Sequence, residues 1–326
     1  MAQIKAQSLG TLDLLRRRHG DEAVRNAFYD LCSQDSEQAA QLLNAEHLKF
    51  PTLFVLHAEI EKFALHDKLN QRNTDALNLC GCLCNLETAM QRDFGLDDAP
   101  TLRWMLATGY DEDDLGENYD EVLDYISILL AREHHDRTVL PYLCEMVFLK
   151  NRRGLYTYDA IWALFESQDP SVLTMVADRL ESSNRHDVEL ARRLLGFIPC
   201  FDNNLASPAA QHKCAQKWLK SNRKWLHYTG ESNQAGSNPY RYEVSLEAKY
   251  LQNPLVTVSG PEALSTEEYD RGNRFYGLDT DTKVLLADYS NRLHARNTSR
   301  WRRWMRAPLE QQIYQARKYA GLEVGQ

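Results

Sequence analysis

Cys80-Gly-Cys-Leu-Cys84 is the densest run of metal-ligating side chains in this sequence. Thiolates so placed can bind a soft metal. The run lies inside a helical apolar pattern, which sends Cys80 and Cys84 to one face and Cys82 elsewhere. No second pair at finger spacing follows, and cysteine packs readily as a small apolar residue. Core packing is the expectation, and no metal or other cofactor is assigned. Asp111-Glu-Asp-Asp-Leu-Gly116 has acids at the first and third positions of a calcium loop and glycine at the sixth. It then fails, with Leu115 at the fifth position and Val122 where a bidentate glutamate is needed. A solvated acidic connector before the next helix is the better reading. His134, His135 and Asp136 offer imidazoles and a carboxylate, but adjacent side chains diverge and a histidine at a helix end complements the dipole. His57 and His66 are too far apart on one helix to share a metal. No nucleophile elbow, phosphate loop, zinc-helix or dinucleotide fingerprint is present, so no catalytic residue is assigned.

The C-terminal segment carries the strongest functional hint. From Arg292 to Lys318 there are eight Lys/Arg and one acid, Glu310. Trp301, Trp304 and Met305 share one helical face, flanked by Arg302, Arg303 and Arg306. Three readings stay open. The tryptophans cap the end of a helical array and show the arginines to water. They form a hot spot for a protein partner. Or the segment binds nucleic acid by phosphate contact and base stacking. Trp301, Arg302, Arg303, Trp304 and Arg306 are the candidate partner-binding residues. Ten acids and one base lie between Asp97 and Asp124. This acidic 97–124 stretch and the basic 292–318 stretch are expected to attract, within one molecule or between copies.

The elements that position these residues are helices. The chain has 326 residues, 43% apolar, with only 15 Gly and 10 Pro, which disfavours a turn-rich β fold. Short helices are expected over 11–50, a longer one over 52–70 and another over 73–92. From Tyr119 to Ile198 apolar residues recur at helical spacing in segments of about three turns, separated by short breaks. A formal charge of −8 and seven cysteines, an odd number, suit a reducing cytoplasmic setting. No apolar run approaches the roughly 20 residues that span a bilayer, so no membrane association is expected.

The helical stretch repeats. At an offset of 33, Asp136 meets Asp169, Thr138 meets Ser171, Val139-Leu140 meets Val172-Leu173 and Glu145 meets Asp178. Ala160 and Leu164 recur as Ala191 and Leu195. Repeats of this period are a solenoid signature. Trp162-Ala-Leu-Phe-Glu-Ser-Gln-Asp-Pro-Ser-Val-Leu, followed by Asp187-Val-Glu-Leu-Ala, resembles short HEAT-like repeats. The resemblance spans about 118–199, carries no catalytic residues, and implies a curved stacked surface that binds other macromolecules.

The expected fold is all-α: a HEAT-like α-solenoid of stacked antiparallel helix pairs with an irregular C-terminal third. Residues 1–96 form an N-terminal helical region, 97–118 an acidic connector, 119–199 the repeats, and 200–326 the irregular region ending in the Trp/Arg helix. The expected function is a non-catalytic macromolecule-binding scaffold or adaptor with a protein partner. The alternatives are an enzyme with a dispersed active site, or a nucleic-acid-binding helical-repeat protein.

Overall fold

A computed structural model describes residues 11–83, 95–112, 115–201, 207–230, 242–253 and 273–322. Among them helices predominate, and one two-stranded antiparallel ladder pairs Leu226–Tyr228 with Tyr242–Val244. None of the described helices is long and apolar enough to cross a membrane. The chain divides into two units, 1–175 and 176–326, within the helix Ser171–Asp178.

In the first unit, short helices follow one another from Thr11–His19 to Tyr158–Glu166. The expected long helix over 52–70 is broken in two, Phe50–Val55 and His57–Lys62, followed by a single turn at His66–Lys68. Ala64, with a φ of 50, reverses the chain between the last two. In the helix Gln71–Leu83, Cys80 is buried and Cys82 half-buried; Cys84, Leu86 and Met90 lie outside the described residues. Part of the expected acidic connector is the helix Ala99–Gly109, whose Ala99, Leu102, Met105 and Leu106 are buried. The acids of 97–124 flank this apolar helix and do not displace it, because its own face is uncharged apart from Arg103.

The Gly109 position is a close approach, not merely a turn. A Cβ there would meet the Tyr119 hydroxyl at 2.4 Å. That hydroxyl donates to the Gly109 carbonyl at 3.0 Å, while the Tyr119 ring stacks on Phe50 at 5.4 Å and meets Phe54 edge-on at 5.0 Å. Only glycine lets the tyrosine lie down on this helix.

The repeated aspartates act alike. Asp136 accepts from the Thr138 backbone N–H at 3.0 Å, and Asp169 from that of Ser171 at 2.8 Å. Each satisfies a helix-start donor that would otherwise be orphaned. Each also receives an arginine from earlier in the chain, Arg103 to Asp136 and Arg137 to Asp169. Val139, Leu140, Val172 and Leu173 behind these caps are all buried.

In the second unit, Pro208–Asn222 carries Trp218. Trp225 sits on a tighter turn, Arg223–Trp225, that feeds the first strand. Further on, Leu246–Leu251, Thr280–Arg296, Thr298–Met305 and Leu309–Ala320 enclose one apolar cluster. Its members include Tyr250, Phe275, Leu286, Tyr289, Leu293, Trp304, Met305 and Ala316. Tyr250 stacks on Phe275 at 4.7 Å, and Trp304 meets Tyr289 edge-on at 5.2 Å.

Candidate functional site

The last three helices are joined by very short connections, and each connection is chemically specified. Asn297 follows Thr280–Arg296 and caps Thr298–Met305, its side chain accepting from the Arg300 N–H at 2.8 Å. Pro308 precedes Leu309–Ala320 and cannot continue the helix before it. The buried Gln312 then locks the corner. Its amide donates to the Ala307 carbonyl at 2.8 Å, and its oxygen accepts from the Tyr250 hydroxyl at 2.8 Å. Both helices are thereby held against Thr280–Arg296, on which each of them packs.

Between them runs a groove of about 770 Å³. One wall carries Arg300, Arg303 and Arg306, three residues apart and so along one helical face. The opposite wall carries Gln311, Tyr314, Gln315 and Lys318, at spacing that also selects one face. Tyr289, Trp304, Ala307 and Tyr319 complete the lining, and no acid among the described residues lines the groove. The four cations are exposed, and none makes an ion pair with a described residue. Fixed positive charge without a counter-charge in a concave wall raises the local concentration of anions.

The five sequence candidates part company here. Trp304 is 3% exposed and belongs to the core, its indole nitrogen buried without a hydrogen-bond partner. Trp301 is half-buried on the same cluster and donates at 2.8 Å to the Ser290 hydroxyl, which donates in turn to the Tyr250 carbonyl at 2.6 Å. Both tryptophans pack on the apolar cluster, and Trp304 also reaches the groove lining. Arg303 and Arg306 line the groove, whereas Arg302 is exposed but is not among the lining residues. Arg300, Lys318, Tyr314 and the two glutamines were missed. The Arg300–Arg303–Arg306 spacing is visible in the sequence, but the facing wall becomes a wall only once both helices pack on Thr280–Arg296.

The other sequence candidates are structural where they are described. His135 sits at a φ of 49, turning the chain after Glu117–Ile128 and its π-helical extension Leu129–Glu133. Asp136 is the helix cap described above. Glu112 takes Arg16 at 2.6 Å, while Asp113 and Asp114 of the acidic loop lie outside the described residues. No group of three or more His, Cys, Asp or Glu among the described residues is placed to hold a metal ion. No family model, curated protein or solved structure matches the chain.

Proposed function

We propose that this chain is a non-catalytic binding protein that engages an anionic macromolecule through the basic groove lined by its last two described helices. The observation that carries the reading is the row Arg300, Arg303, Arg306 with Lys318 opposite, lined by no acid and paired with none among the described residues. An unpaired row of like charges is self-repelling, and neutralisation by a ligand removes that cost.

A HEAT-like stack is the proposed architecture of residues 119–199. Equivalent capping by Asp136 and Asp169, each with an arginine from earlier in the chain, supports the repeat. An external partner is favoured over self-association through 97–124. Glu112, Asp120 and Asp124 of that stretch already face Arg16 and Lys150. The odd cysteine count supports a reducing, cytoplasmic location.

Retention of the purified chain on immobilised heparin is the test. We expect retention at low salt, and its loss in Arg303→Glu with Arg306→Glu. Flow-through of the unmodified chain, or equal retention of the variant, overturns the proposal.

A further inference from the structure

We infer that the ligand of this groove is a single-stranded nucleic acid, with its phosphates on the arginine row and a base on the ring of Tyr314. The inference rests on the proposed polyanion-binding reading and narrows it to one class of polymer.

The arginines form a line rather than a nest. At the helical rise, positions three apart are separated by about 4.5 Å along the axis. Such a line suits a chain of charges, and a single small anion would use only one end of it. The guanidinium groups also offer forked donors that match phosphate oxygens.

The opposite wall argues for bases. Tyr314 is 49% exposed, and no described ring packs on it. Tyr319 is 54% exposed but already leans on Tyr289 at 5.3 Å, so Tyr314 is the ring open to stacking. A basic groove with an exposed aromatic ring is the pattern by which single strands are held without sequence preference. Gln311 and Gln315 beside it both donate and accept hydrogen bonds, as base edges do. A carboxylate-rich peptide needs donors alone.

Other anionic partners fit less well. Ala307 is the one aliphatic residue among the described residues lining the groove, so neither an apolar peptide anchor nor an acyl chain finds a pocket among them. A duplex keeps its base faces stacked away from Tyr314.

The test is fluorescence anisotropy of short labelled oligouridylate and oligothymidylate with the full chain. A duplex of the same length, heparin and polyglutamate serve as competitors. Single strands should bind in preference to the duplex and polyglutamate. The logarithm of the binding constant should fall against log salt with a slope of about −3, at roughly −0.7 per neutralised phosphate. Arg303→Gln with Arg306→Gln should remove about half of that slope. Tyr314→Ala should weaken single-strand binding by about five-fold or more and leave heparin binding unchanged, while Tyr314→Phe restores it.

If heparin binds but single strands gain nothing over duplex or polyglutamate, the nucleic-acid inference falls and the polyanion reading stands. An unchanged single-strand affinity in Tyr314→Ala has the same meaning. Binding of none of these polyanions overturns both.

Discussion

In the N-terminal unit, Lys150 is 3% exposed and sits 2.7 Å from Asp124 and 3.8 Å from Asp120. Arg16 is equally enclosed, between Glu112 and Asp21. In the C-terminal unit, Arg300, Arg303, Arg306 and Lys318 stand exposed in one groove without a described acid to meet them. The same side-chain types therefore do two jobs. A buried, paired cation specifies how its neighbours pack, and removing one partner leaves the other stranded. An exposed, unpaired row adds nothing to packing, and its charge is open to solvent and to anions. The second unit also has a pair of the first kind. Lys249 is buried against Asp288 and against the Asn222 side-chain oxygen at 2.6 Å.

The largest effect that would test this contrast is on stability in the first unit. Lys150→Ala should cost about 3 kcal/mol, because it strands Asp124 and opens a cavity. Lys150→Met with Asp124→Leu should recover most of that loss in urea denaturation. A single variant as stable as the parent would break the distinction between the two kinds of cation.

The next effect is a pH dependence. Burial pushes the Asp124 carboxyl up to about 6, against the pull of Lys150 and with help from Asp159 and Asp120. The folded state therefore holds this proton more tightly than the unfolded chain, whose aspartates titrate near ~3.9. The stability linked to this group is full below pH ~4 and is lost as pH rises through about 6. Asp124→Asn should remove that slope from the stability profile, and a profile unchanged by the substitution would refute the assignment.

A smaller effect concerns the repeated caps. Asp169→Ala should cost about 1 kcal/mol through loss of the Ser171 cap, with a little more from Arg137 left unpaired at the surface. Asp136→Ala should behave alike, and a large asymmetry between the two would argue against their equivalence as repeats. The smallest effect is expected at Arg302, which does not line the groove. Arg302→Gln should change stability by less than ~0.5 kcal/mol and leave heparin retention nearly unchanged. A loss comparable to that of Arg303→Gln would place the contact surface elsewhere on these helices.

Much of the helical order was legible from local pattern. The apolar face of Trp301, Trp304 and Met305 follows from three- and four-residue spacing, and all three do turn to the cluster. The caps at Asp136 and Asp169 were legible because a short polar side chain before an apolar run has one local use. Less legible was the 99–109 helix, where counting acids over a window hid an apolar face. The division of the Trp–Arg segment into a buried pair and an exposed row was only half visible. Spacing assigns a face, but not which neighbours cover it.

By itself the sequence determined that this chain is helical, where several of its helices start, and that its C-terminal end is basic. Those properties depend on residues within a turn or two of one another, where backbone donors, apolar spacing and charge counts act locally. Tertiary structure alone decided that Gly109 must be glycine, since Tyr119 arrives from another helix to lie on it. It alone decided that Trp304 is core and Arg303 is surface, and that Tyr314, Gln311 and Lys318 face the arginines across a groove. The reason is that a groove needs two walls, and the Gln312 corner that brings them together is set by contacts with Tyr250, far away in the chain.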